Sequence, residues 1–166
     1  MKTTIAVSRC LLGDKVRYDG TAKCCEKISE LNTEQYEIIP YCPELAIGLP
    51  VPRLPMRLDK VNGDIFARQI KDNRIDYTEQ LKHYARKFIA ENQGLSVVIT
   101  KKGSPSCGYN SSKLYENSVL SNQKVSGIFI AELERLKPDI LIIDEQDFVN
   151  SEIFPERFPD QQKRPG

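Results

Sequence analysis

The sequence predicts an α/β fold built on a small open parallel sheet with helices on both faces. Three observations carry that expectation: four short runs rich in Val and Ile, helical periodicity between them, and turn residues at the junctions. The first strand is expected at Thr4 to Ser8, "TIAVS", and the second at Tyr36 to Cys42, "YEIIPYC". A helix is expected between them over Ala22 to Leu31. The segment Cys42 to Leu58, "CPELAIGLPVPRLPMRL", holds too many prolines for a regular helix and reads as a binding loop after the second strand.

The next helix is the clearest in the chain. Asp76 stands as N-cap and Glu79 at the capping-box position. Leu81, Tyr84, Ala85, Phe88 and Ile89 recur at helical spacing, and Gly94 marks the stop. The third strand, Leu95 to Lys101, follows at once. Val125, Phe129, Leu133 and Leu136 share one face of a further helix that Pro138 ends, and Asp139 to Glu145 supplies the fourth strand. Strands alternating with helices imply a Rossmann-like three-layer sandwich. A single domain is expected over residues 1–150, with a tail from 151 to 166 rich in proline and charge.

At 166 residues the chain is long enough to bury a core without disulfide staples. Lysine and arginine number 24 against 23 acids, so a net charge of +1 gives no overall pull toward nucleic acid or anionic lipid, and neither is expected as a partner. No apolar run reaches the roughly 18 residues of a membrane span, and Arg9 interrupts any signal-peptide core. Five cysteines, an odd number, fit a reducing compartment better than a disulfide framework. The expectation is a soluble cytoplasmic protein whose thiols serve packing, metal binding or catalysis.

Cys10 follows the first strand, Cys42 the second, and Cys107 lies in "SPSCG" after the third. Ligands of open parallel sheets bind outside the carboxyl ends of the strands, so three thiols leaving three such ends can converge. Cys24 and Cys25 are adjacent, diverge on a helix, and read as packing or surface residues. His83, the only histidine, lies in the polar register of its helix and reads as solvated. No Cys-x-x-Cys pair is present, which argues against disulfide exchange. Cys10 and Arg17 have one residue too many between them for a phosphatase loop. Three dispersed thiolates leave a metal with an open position, and soft thiolates suit an iron-sulfur cluster, zinc or cuprous ion. A zinc-binding or sulfur-carrying module without catalytic activity remains an alternative on these residues.

The same loops carry a resemblance. "VSRCLLGDKVRYDG" (Val7 to Gly20), "YCPELAIGLPVPRLP" (Tyr41 to Pro55) and "SPSCG" (Ser104 to Gly108), in this order, resemble a bacterial family long known as a domain of unknown function whose characterised members are thiouracil desulfidases. The resemblance runs with interruptions from about residue 4 to 149. It implies a 4Fe-4S cluster held by Cys10, Cys42 and Cys107, whose free iron takes the sulfur of a thiocarbonyl without net redox change. The small-molecule substrate would be a thiolated pyrimidine. Glu44 and Ser104 match the positions assigned to catalysis. The chemistry suits them, since replacing C=S by C=O needs an activated water and a proton relay, and negative charge and burial beside a cluster would raise the proton affinity of Glu44. Arg17, Tyr18, Asp19 and Ser106 are expected to line the pocket, with Tyr18 stacking on a flat heterocycle. Gly103, Arg57 and Tyr115 to Val119 depart from residues usual in the family.

Overall fold

The computed structural model describes residues 2–150 except Asn32. The tail expected from residue 151 lies outside the described residues. In chain order the strands are β1 (Thr3–Ser8), β2 (Tyr36–Tyr41), β3 (Met56–Val61), β4 (Asp64–Gln69), β5 (Leu95–Thr100), β6 (Ser112–Glu116), β7 (Val119–Val125) and β8 (Leu141–Asp144). The helices are α1 (Glu26–Ser29), α2 (Pro43–Ala46), α3 (Thr78–Glu91), α4 (Ile128–Leu136) and α5 (Glu145–Asn150).

The four expected strands pair into one parallel sheet in the order β2-β1-β5-β8. Both of its faces are covered. On one side Ala6 and Val98 pack against Ala85 and Phe88 of α3 and Phe129, Ile130 and Leu133 of α4. On the other Ile5, Val7, Val97 and Ile99 meet Leu11, Ile28 of α1 and Phe148 of α5. Apolar residues on both faces explain why these strands read as continuous apolar runs. An aromatic group ties the first face together, with Phe129 stacked on Tyr41 at 5.3 Å and on Tyr84 at 5.1 Å between ring centroids.

Three helix boundaries differ from expectation. Over Ala22 to Leu31 only Glu26–Ser29 is helical, because the Lys23 and Cys25 N–H groups donate to the carbonyls of Cys10 and Leu11 and the chain there follows a neighbouring turn. Val125 belongs to β7, paired with Ser112, and α4 begins only at Ile128. The cap of α3 moves by one residue to Tyr77, although the Asp76 carboxylate still accepts the Thr78 N–H at 2.8 Å. At the other end Asn92, two residues before Gly94, donates its side-chain amide to the Phe88 carbonyl at 2.9 Å. His83 is exposed, as its register predicts.

A second sheet, in the order β4-β3-β6-β7, fills what the sequence reading leaves as loops. It consists of two hairpins, β3-β4 and β6-β7, joined by parallel pairing of β3 with β6. Asn62 and Gly63 turn the first hairpin with φ of 50° and 85°, and Asn117 and Ser118 turn the second with φ of 50° and 62°. Paired left-handed residues are what two-residue hairpin turns require, so "NG" at 62–63 was a readable signal. The inner face of this sheet, Met56, Leu58, Ala67 and Leu114, packs on Leu81 of α3 and Ile128 of α4.

Glu132 on α4 is 6% exposed and meets two charged groups: Arg135, with Nη2 at 2.5 Å and Nε at 3.2 Å, and Arg86 at 3.6 Å. Hydrogen bonding from Arg135 first, then the arginine charges, hold its carboxyl below the ordinary value of 4.5 against the opposing effect of burial. A depressed carboxyl contributes stability above its unfolded value and loses it as pH falls through the folded one. Glu132→Gln should therefore cost about 1 kcal/mol near neutral pH, the exposed arginines limiting the gain. The difference should shrink below about pH 4, measured by urea unfolding across that range.

Candidate active site

Each of the three strand-exit cysteines is held by local backbone chemistry. Cys10 sits in a 3-10 turn, Arg9–Leu12, that ends on Gly13 at φ 98° and is pinned by the Lys23 and Cys25 N–H donors. Cys42 directly precedes α2, and Pro43 occupies the first helical position, where no amide hydrogen is needed. Cys107 lies on the loop after β5. The Ser104 hydroxyl accepts from the N–H groups of Ser106 at 3.3 Å and Cys107 at 3.1 Å, while its carbonyl accepts from the Gly108 N–H at 2.8 Å and the Ser112 hydroxyl at 2.6 Å. Thr100 donates to the Cys107 carbonyl. The thiol is thus fixed from both sides.

All three cysteines line one cavity of about 210 Å³ at the carboxyl rim of the parallel sheet. The Ser8 hydroxyl lies 3.5 Å from the Cys10 sulfur and 4.0 Å from that of Cys107, bridging the first and third strand exits. Burial pushes the Cys10 thiol up to about 11 and raises that of Cys42 as well. Such thiols stay protonated near neutral pH unless a cation takes the proton's place. Cys24 is exposed and Cys25 packs against the β1 face of the core, and neither lines the cavity.

Glu44, Ser104, Ser106, Arg17 and Tyr18 line the same cavity, whereas Asp19 does not. The Asp19 carboxylate instead accepts from the Thr21 N–H at 3.0 Å and hydroxyl at 2.6 Å, closing the turn. Glu44 Oε2 accepts from the Ser106 hydroxyl at 2.9 Å, and Ser106 lies 3.1 Å from the Ser104 hydroxyl. Since Ser104 Oγ already accepts two amide hydrogens, its own proton is available to Ser106. A continuous hydrogen-bonded line therefore runs Ser104 to Ser106 to Glu44.

The sequence reading missed the partner of that line. Arg53 Nε donates to Glu44 Oε1 at 2.9 Å, and its other nitrogens donate to the carbonyls of Val16 at 2.8 Å and Pro50 at 3.2 Å. The two side chains are 5% and 13% exposed. A lone cation among the prolines of "PVPRLP", nine residues after a candidate carboxylate, was the available signal. Lys101 and Lys102 also reach the cavity wall, tied to Glu145 and Gln146 of α5.

A family model described as 2-thiouracil desulfurase matches residues 5–145. The chain belongs to that family. Membership makes the protein an enzyme of the desulfurase class. The chain is 36% identical over 131 residues to an uncharacterized protein, YbbK, of Bacillus subtilis (strain 168), covering 74% of this chain and 83% of that one. Among solved structures it is similar to a 4Fe-4S-dependent thiouracil desulfidase, TudS, with a TM-score of 0.69 and 30% identity over 89% of this chain and 94% of that one.

In this family member two glycines let the Cys107 loop close. A Cβ on Gly127 would stand 2.4 Å from the Ser106 carbonyl carbon, and one on Gly108 would stand 2.7 Å from the Ser104 carbonyl oxygen. The close approach lets the amides at the start of α4 reach the loop, Ile128 N–H to the Pro105 carbonyl at 3.2 Å and Phe129 N–H to that of Ser106 at 2.9 Å. Gly127→Ala should displace the loop at a cost of about 2 kcal/mol or more. Thermal melts and faster labelling of Cys107 by a thiol reagent would report it, and an unchanged melt with unchanged labelling would refute it.

Proposed function

We propose that this chain is a 4Fe-4S-dependent desulfidase that converts a thiolated pyrimidine of the thiouracil type to its oxo counterpart and releases sulfide. The observation that carries the reading is the convergence of Cys10, Cys42 and Cys107 on a cavity that also holds the Ser104–Ser106–Glu44 line. The donor set suits the group. Three soft sulfurs and no histidine face the cavity. Among the described residues no three His, Cys, Asp or Glu side chains gather tightly enough for a single metal ion. The 4Fe-4S dependence of the TudS neighbour points the same way. Reduced thiols agree with a cytoplasmic setting.

When bound by Cys10, Cys42 and Cys107, the cluster supplies a thiophilic iron as acceptor for the substrate's sulfur. The chain's own residues handle the water. Water adds its oxygen to the ring carbon as the carbon–sulfur bond breaks, so thiocarbonyl and water become carbonyl and hydrogen sulfide with no change of oxidation state. Ser106 Oγ, oriented by the proton that Ser104 Oγ donates to it, accepts a proton from that water while passing its own to Glu44 Oε2. Arg53 holds the carboxylate at the far oxygen, leaving Oε2 to the relay. Tyr18, 42% exposed at the mouth, offers a ring for stacking on the planar substrate.

Anaerobic reconstitution should yield about four irons and four acid-labile sulfides per chain with broad visible absorbance, lost in Cys42→Ser. Uracil and sulfide should then form in equal amounts from 2-thiouracil. Glu44→Gln should keep the absorbance yet lower kcat about 100-fold or more. One zinc per chain with no labile sulfide would instead establish the non-catalytic metal-binding module.

A further inference from the structure

The outer face of the second sheet carries a charge pattern unrelated to the cysteine cavity. Strand alternation places Arg57 and Asp59 of β3, Phe66 and Arg68 of β4, and Lys113 and Tyr115 of β6 on this face, opposite the buried Leu58, Ala67 and Leu114. The register aligns them in two rows. Arg68 pairs laterally with Arg57, Lys113 follows on β6 one residue before the Leu58–Leu114 pair, and Lys113 pairs with Lys124 of β7. The second row runs Phe66, Asp59, Tyr115, Leu120.

Four cations abreast across four strands are costly, since like charges directly opposite in a sheet repel. Only one is ion-paired within the row, although Asp76 bridges to Arg68 at the row's end and sets one acid beside it. Arg57 pairs with Asp59 at 2.9 Å, while among the described residues no acid is ion-paired with Arg68, Lys113 or Lys124. The whole-chain charge of +1 conceals this face by averaging. Both guanidinium groups lie over rings, Arg57 4.6 Å from the Tyr115 centroid and Arg68 5.0 Å from that of Phe66. Each pair sets a cation over an aromatic ring, and Lys113 and Lys124 extend exposed beside them.

We propose that this face binds single-stranded nucleic acid, phosphates on Lys113 and Lys124 and bases on the Arg57–Tyr115 and Arg68–Phe66 stacks. A row of cations about 4.8 Å apart from strand to strand matches a linear polyanion. The stacked planes match its bases, since aromatic rings and guanidinium planes are the surfaces on which unpaired bases settle. A lipid surface would use the charge and leave both stacks without a counterpart. The binding requires no cluster and does not rest on the desulfidase reading.

Fluorescence anisotropy of the full chain with labelled oligo(U) and oligo(dT) of about 12 nucleotides tests it. Affinity should fall ~20-fold or more between about 50 and 200 mM salt, as release of three or four counterions from a single strand requires. Tighter binding of oligo(U) would identify RNA as the source, and equal binding would make the site indifferent to the sugar. The double variant Lys113→Ala/Lys124→Ala should weaken binding ~10-fold and flatten the salt slope by about 1.4. Tyr115→Leu should cost ~5-fold or more. Lys82→Ala/Lys87→Ala, on α3, should change nothing. Binding that survives loss of Lys113 and Lys124 in a variant with a normal melt, or that falls equally in the α3 control, overturns the proposal. So does stronger, Lys113- and Lys124-dependent capture by phosphatidylserine-containing vesicles than by either oligonucleotide.

Discussion

Lateral hydrogen bonding among β2, β1 and β5 sets where the three strand-exit thiols reach the cavity. Strands in one sheet stand about 4.8 Å apart, and parallel strands end on the same side. Cys42 follows the last residue of β2 by one position, Cys10 that of β1 by two, and Cys107 that of β5 by seven. Three thiols from distant parts of the chain therefore arrive at one rim with little freedom left. Cys10 and Cys107 pack with core residues on opposite faces of the sheet, and they meet only because both loops fold over its end.

The longest of the three excursions needs the most support. Seven residues of loop would wander if their polar groups were left to water. Ser104 accepts two amides, Ser112 and Thr100 donate to loop carbonyls, and the first amides of α4 donate to two more. This network places the Ser104 and Ser106 hydroxyls beside Glu44 as well as aiming the sulfur. The same backbone closure thus fixes the Cys107 thiol and the proposed proton relay together. Arg53 completes it from the proline-rich segment, bonding Glu44 and the carbonyls of Val16 and Pro50.

The second sheet has a different relation to the cavity. Its inner face extends the core along α3 and α4, and its strands continue directly from the site segments, β3 from the stretch holding Arg53 and β6 from the cysteine loop. Its outer face has no such packing duty. Side chains there answer to one another across the strands, and cations over rings with one buried carboxylate are the result.

Much of the parallel sheet was legible because strands buried on both faces leave an apolar run that little else produces. Cys10, Cys42 and Cys107 were legible because each lies in the segment that leaves such a run, whereas Glu44 was picked out only by the resemblance of its "CPE" motif. β3, β4, β6 and β7 were not, since one-sided burial gives alternation, and charged Arg57, Asp59 and Lys60 broke it. The turns at Asn62-Gly63 and Asn117-Ser118 were the remaining trace. The sequence by itself determined the parallel core, its helices α3 and α4, and which thiols leave which strands. Only the tertiary structure decided that Arg53 would face Glu44, that Asp19 would turn away, and that four cations would align on one face. Those outcomes depend on register and on contacts between residues far apart in the chain, and local spacing carries no record of either.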